Sequence, residues 1–168
     1  WDVSALAAGA WTTENSMNTA RKSLEGAGTS NTAALAFGGS PNVALTELYN
    51  GTNWTEVGDL TLGRSSMGSA GSSTAAIAFG GSPDTTDTET WNGSSWTEIT
   101  AMNTARGAMG PAMAGTTTAA LGAGGANGGV RNLTEQWNGS SWTEVNDINN
   151  TRYSTAGAGT VTSALVSG

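Results

Sequence analysis

Trp91-Asn92-Gly93-Ser94-Ser95-Trp96-Thr97-Glu98 decides how the rest of the sequence is read, because it returns almost unchanged at Trp137 to Glu144 and more loosely at Tyr49 to Glu56. In each copy two aromatic residues flank an Asn-Gly pair. Asn and Gly tolerate the positive φ of a tight turn, and short runs of Thr, Trp, Val and Ile on either side suit a pleated surface. The stretch therefore predicts a β-hairpin, used repeatedly.

Working outward, the second Trp of the hairpin falls at Trp11, Trp54, Trp96 and Trp142, with spacings of 43, 42 and 46 residues. An arginine follows ten residues later, at Arg21, Arg64, Arg106 and Arg152. Small-residue runs ending in Gly-Gly occupy 33–39, 75–81 and 119–125, and the last residues of the chain start another. Within the unit at 64–99, Arg64 opens a Gly/Ser/Ala strand, Thr74 to Phe79 forms a second, Thr88 to Trp91 a third, and Trp96 to Ile99 a fourth. Four short strands recurring every 42 to 46 residues, with Gly, Pro and Asn between them, are the pattern of a propeller blade. Residues 1–16 match the last two strands of such a unit and 152–168 the first two. The expectation is a single all-β domain over 1–168: a β-propeller of four blades, each of four antiparallel strands. Its blades would lie at about 21–58, 64–100, 106–146, and 152–168 plus 1–16, closed by pairing of the N- and C-terminal strands. Such closure hides edges that would otherwise template aggregation. The chain starts at Trp1 without a Met, which leads us to expect a processed product or a piece of a longer array.

These residues resemble kelch-type propeller repeats. The resemblance rests on Phe37-Gly38-Gly39 and Phe79-Gly80-Gly81, on the third-strand aromatics Tyr49, Trp91 and Trp137, and on the fourth-strand Trp54, Trp96 and Trp142. The period is shorter than the ~50 residues of standard kelch repeats, and Ala123 precedes Gly124-Gly125 where Phe is expected. The hairpin wording, with Met102-Asn103-Thr104-Ala105-Arg106 downstream, is similar to kelch-like repeats in tail-fibre and other virion appendage proteins of marine phages. That resemblance implies an extracellular or virion-surface location and assembly into a larger appendage.

Composition narrows the chemistry. Six basic residues against thirteen acidic ones give a net charge of −7, which disfavours nucleic acid and anionic membranes as partners. Cys and His are both absent, removing thiolate nucleophiles, the usual transition-metal ligands and the commonest general base. The Tyr, His and Cys copper site of galactose-oxidase-type kelch enzymes has no counterpart here. No apolar run approaches the ~20 residues of a membrane span. No cofactor, no enzymatic activity and no membrane insertion are expected.

The carboxylates fall in repeat register, at Glu47, Glu89 and Glu135 and at Glu14, Glu56, Glu98 and Glu144, which marks them as scaffold rather than a catalytic pair. Arg21, Arg64, Arg106 and Arg152 admit two readings. Either each pairs with a fourth-strand Glu, such as Arg64 with Glu56, or together they form a cationic funnel for an acidic or sulfated sugar. The Trp residues serve as wedges between blades or as sugar-stacking platforms. Loops after Gly-Gly vary most, and variable loops on a rigid scaffold are where binding resides. Asp84, Asp87 and Arg131 are the candidates there, the two aspartates as Ca²⁺ ligands or simply as solvated side chains. Asn-x-Ser/Thr triplets begin at Asn50, Asn53, Asn92, Asn132, Asn138 and Asn149, mostly in turns that favour Asn anyway. The function expected is non-catalytic recognition of cell-surface glycans or another extracellular partner through the loop face; the alternative is a structural spacer acting through protein–protein packing.

Overall fold

The computed structural model describes residues 14–109 and 115–168. The first unit runs β1 (Glu25–Ser30), β2 (Ala33–Phe37), β3 (Thr46–Tyr49) and β4 (Trp54–Glu56), hydrogen-bonded in that order as an antiparallel sheet. The second repeats it with β5 (Gly68–Gly71), β6 (Ala76–Phe79), β7 (Thr88–Trp91) and β8 (Trp96–Ile99). The third contributes β9 (Ala120–Ala123), β10 (Thr134–Trp137) and β11 (Trp142–Glu144); the last, β12 (Ala156–Thr160) and β13 (Ser163–Ser167), forms a two-stranded sheet. No helix occurs among the described residues. The fold is thus all-β and built of repeated antiparallel sheets. Trp11 and most of the proposed closing segment, residues 1–13, lie outside the described residues, as do 110–114, where the third unit's first strand is expected.

The hairpin turns differ from the two-residue form. Trp91 pairs directly with Trp96, so four residues make the loop. Only the glycines take positive φ, 93° at Gly51, 97° at Gly93 and 95° at Gly139. The preceding Asn acts through its side chain instead. Asn92 Oδ1 accepts from the amides of Ser94 and Ser95, both at 3.0 Å, and Asn50 and Asn138 repeat the arrangement. This side-chain mimicry of a backbone turn explains the Asn without a left-handed residue there.

Each Gly-Gly joins neighbouring units. The first Gly amide closes its own loop, as Gly80 does on Asp87 O at 2.9 Å, and the second donates to the carbonyl of the next unit's arginine. Gly39 thus reaches Arg64 O at 2.9 Å, Gly81 reaches Arg106 O at 3.0 Å and Gly125 reaches Arg152 O at 2.8 Å. Gly80 has φ of 60°, and a Cβ on it would stand 2.5 Å from Arg106 O, so no other residue fits this approach. Two residues beyond each arginine a non-glycine residue adopts positive φ: Ser23, Ser66, Ala108 and Ser154. These also connect units, through Ser66 N to Ser23 O and Ser154 N to Ala108 O.

The core sits between consecutive units. Phe37, Leu60 and Met67 cluster with Trp91 and Trp96, while Phe79, Met102 and Met109 cluster with Trp137 and Trp142. Phe37 meets Trp96 edge-on with ring centroids 4.8 Å apart, and Phe79 meets Trp142 at 4.7 Å. Each fully buried large apolar side chain stabilises the interface by about 1.5–3 kcal/mol. The fourth-strand indoles also find oxygen partners in the preceding unit: Trp96 Nε1–H donates to Thr46 Oγ1 at 3.0 Å and Trp142 Nε1–H to Thr88 Oγ1 at 3.1 Å.

The final sheet is different. β6 and β9 are buried throughout, and β2 is buried over its last three residues, but β13 is exposed at four of its five positions. Leu165 is 71% exposed. Among the described residues, β13 has β12 as its sole sheet neighbour.

Candidate binding surfaces

Arg21, Arg64 and Arg106 open their units, but their side chains do not face solvent. Arg64 and Arg106 are fully buried. Arg64 Nη2 donates to Glu89 Oε1 at 2.8 Å, and its Nη1 to the carbonyls of Gly80 and Asp87 at 2.9 and 2.7 Å. Arg106 pairs with Glu135 at 2.6 Å and donates to Gly122 O; Arg21 pairs with Glu47 at 2.5 Å and donates to Gly38 O. The carboxylate therefore comes from the third strand of the same unit. The expected fourth-strand partner is not used: Glu56 and Glu98 are exposed. In β3 and β7 the glutamates point inward from the pleat beside buried Thr46 and Thr88, which brings them to the arginine rather than to solvent.

The glutamates carry a second duty. Glu89 Oε2 accepts from Thr61 N at 2.7 Å, Glu135 Oε2 from Asn103 N at 2.7 Å, and Glu47 Oε2 from Asn18 N at 2.7 Å. Each thereby holds the segment that leads into its own arginine. Burial opposes the charge on Glu47, but the Arg21 guanidinium and the Asn18 and Thr19 amides outweigh it and hold its pKa below the usual value. Burial pulls the Arg64 guanidinium down, against support chiefly from Glu89. As an anion funnel the ring is thus closed at Arg64 and Arg106, whose Nη groups donate to carboxylate and carbonyl oxygens of their own unit.

Arg152 departs from its siblings. It retains the backbone contact of the repeat, Nη1 donating to Gly168 O, but it has no carboxylate partner among the described residues. It is half-buried and borders an open groove of about 610 Å³ together with Val130, Asn150, Tyr153 and Gly168. It also lines a smaller groove of about 330 Å³ with Asp147 and Val166.

On the variable loops, Asp84 and Arg131 are exposed and Asp87 is half-buried. Arg131 Nη2 donates to Asn127 O at 2.8 Å within its own loop. Asp87 contributes its backbone carbonyl to Arg64. Among the described residues no group of three or more His, Cys, Asp or Glu side chains is placed to hold a metal ion. No helix among them is long and apolar enough to cross a membrane.

The tryptophans Trp91, Trp96, Trp137 and Trp142 are buried, which assigns them to the wedge role and leaves no ring face for stacking a sugar. Trp54 is half-buried against Asn15, whose carbonyl its indole N–H reaches at 3.1 Å. One carboxylate escaped the sequence reading. Glu25 on β1 breaks the repeat, since Gly68 and Ala156 stand at the same distance from their arginines. Desolvation raises its pKa to about 8, only partly offset by Ser69 Oγ at 3.5 Å. That interruption of the Gly/Ala pattern was the available signal.

Comparison of the chain with protein-family models and with curated proteins finds no match to either.

Proposed function

We propose that this chain is a non-catalytic structural module acting through protein–protein packing, in which kelch-like units build a β-propeller and the exposed β13 is a packing surface. The observation that carries this reading is the exposure of β13, whose counterparts in the other units lie buried. A second strand with β12 as its sole sheet neighbour among the described residues, carrying an apolar residue at 71% exposure, is suited to strand addition. Such a module suits an extracellular or virion appendage, where the resemblance of the repeats also points. Residues 1–16, the expected closing segment, match the repeat at Trp11 but not at every position. Counting back from Trp11 puts Ser4 where other units carry Glu, Leu6 where they carry Tyr or Trp, and Ala7-Ala8 where they carry Asn-Gly.

Light scattering of the purified chain over a wide concentration range tests the reading. Concentration-dependent association is expected, and it should be lost when Leu165 is replaced by Lys. A glycan-recognition role rests on a separate observation, the exposure of Asp84 and Arg131 on the loops that differ most between units. A chain that stays monomeric at every concentration, and binds selected glycans only while Asp84 and Arg131 are intact, would replace the packing role with recognition.

A further inference from the structure

Asn-Gly pairs stand at 50–51, 92–93, 127–128 and 138–139, and their side-chain oxygens are not equally engaged. Asn92 Oδ1 accepts from the amides of Ser94 and Ser95 at 3.0 Å each and from Ser94 Oγ at 2.9 Å. Asn138 Oδ1 repeats this with the amides of Ser140 and Ser141 and with Ser140 Oγ, all at 2.9 Å, and adds Ser141 Oγ at 3.5 Å. Asn50 Oδ1 has the two amides, of Thr52 and Asn53, but no hydroxyl donor. Asn127 is held by its nitrogen instead, Nδ2 donating to Ala105 O at 2.8 Å.

Donors on an amide oxygen matter when the amide carbon is attacked, because that oxygen receives the charge. The attacking group is the backbone nitrogen of the next residue, which closes a cyclic imide on Asn Cγ. At 93 and 139 that residue is Gly, so no side chain hinders the approach. The Gly93 and Gly139 amides donate to no oxygen among the described residues, which leaves the nucleophile untied. As the N–Cγ bond forms, the Gly nitrogen loses its proton to water and the carbonyl pair moves onto Oδ1, where donors already in place stabilise the oxyanion. The intermediate collapses by breaking the Cγ–Nδ2 bond, and Nδ2 takes a proton from water and leaves as ammonia. Asn92 and Asn138 are exposed, so water reaches the imide and opens it. Opening at Cγ gives aspartate; opening at the main-chain carbonyl carbon gives isoaspartate.

We infer that Asn92 and Asn138 are sites of spontaneous covalent modification, converted to aspartate and isoaspartate ahead of Asn50 and Asn127 because their turns supply a ready oxyanion seat. The inference is independent of the packing role. The aspartate product keeps an acceptor for the same donors and adds a negative charge to a chain already at −7. The isoaspartate product is more disruptive, since it puts an extra backbone carbon into the loop between the paired Trp91 and Trp96, or Trp137 and Trp142. Trp96 and Trp142 are the indoles that reach back to Thr46 and Thr88, so the change is felt at the contact between units.

The test is incubation of the full chain in neutral buffer made with heavy-oxygen water, which marks conversion during the incubation, followed by peptide mapping with tandem mass spectrometry. Asn92 and Asn138 should convert first, with isoaspartate among the products. Ser94→Ala should slow conversion at Asn92 at least about threefold and leave Asn138 unchanged, and Ser140→Ala should do the reverse. Both serines sit in exposed turns, and unchanged tryptophan fluorescence confirms that each variant is folded. In urea the turns are lost, and the four Asn-Gly pairs should then convert at similar rates. Faster conversion at Asn50 or Asn127 than at Asn92 and Asn138 in the folded chain overturns the inference. So does a Ser94→Ala or Ser140→Ala variant that converts at the native rate or faster. The same ranking in urea as in the fold overturns it as well, by assigning the order to neighbouring sequence rather than to the turn.

Discussion

Replacing Glu89 by Gln tests the buried ion pair most sharply, because shape is kept and charge is removed. Glu89 and Arg64 both have zero side-chain exposure, so water cannot stand in for the lost charge. In the native chain one carboxylate oxygen takes the Arg64 Nη2 proton at 2.8 Å and the other the Thr61 amide at 2.7 Å. A carboxamide offers one oxygen for these two donors, and its NH2 must face the other. Arg64 keeps the carbonyls of Gly80 and Asp87, which limits the damage, but its Nε is already buried without a partner. Leaving a buried charge uncompensated costs about 3–5 kcal/mol. For a domain of this size each kcal/mol lowers Tm by about 2–4 °C, so a fall of roughly 6–20 °C is expected. Urea denaturation followed by tryptophan fluorescence, with calorimetry for Tm, measures it. The double replacement Arg64→Met with Glu89→Leu should recover most of the loss, since the penalty belongs to the orphaned charge rather than to the missing pair. A Glu89→Gln loss below about 1 kcal/mol would refute the reasoning, by showing that the pair is hydrated in solution and behaves as a surface one.

The remaining predictions use the repeat as its own control. Glu25, with a folded pKa raised to about 8 from 4.5, favours its protonated form in the fold, so its contribution is complete below pH 4.5 and is lost as pH rises towards 8. Thermal melts at pH 5 and pH 8.5 should therefore show Glu25→Gln gaining on the native chain as pH rises, by about 4 kcal/mol at most; equal gaps at both values would contradict this. Thr88→Val removes the acceptor for the Trp142 indole and should cost about 1–3 kcal/mol, whereas Thr134→Val in the isolated chain should be neutral or stabilising by urea denaturation. Gly80→Ala forces a Cβ to within 2.5 Å of Arg106 O and should lose well over 2 kcal/mol. Gly128→Ala, also at positive φ but with nothing within 4 Å, should lose only the backbone preference of about 1–2 kcal/mol in the same assay.

Much of the architecture was legible because the repeat aligns each element with its copies. The strands at Thr88–Trp91 and Trp96–Ile99 were read directly from the hairpin wording, and the Gly-Gly pairs from their recurrence. The arginine partner was misjudged for a physical reason. Glu56 is eight residues from Arg64 in sequence, yet sheet pairing turns it outward, while Glu89, 25 residues away, is carried back by two antiparallel turns. Local spacing does not reveal such returns. The positive φ at Ser23, Ser66, Ala108 and Ser154 was invisible because no residue type marks it. The Thr acceptors were present as a Thr-Glu dipeptide at 46–47, 88–89 and 134–135, but their indole donors belong to the following unit and could not be inferred from one copy. Of the loop candidates, Asp84 and Arg131 are exposed, as polarity and turn composition suggest, whereas Asp87 is half-buried.

The two kinds of link differ in how far they reach along the chain, 25 to 29 residues from arginine to glutamate and 50 or 54 from threonine to tryptophan. On a ribosome, where synthesis runs at about 5–20 residues per second, the first interval passes in a few seconds and the second in roughly twice that. A nascent unit can therefore lock its own ionic clasp before the neighbour that will cap its hydroxyl has emerged. Assembly would advance as a ratchet in which each finished sheet waits, with one open seat, for the next to be made.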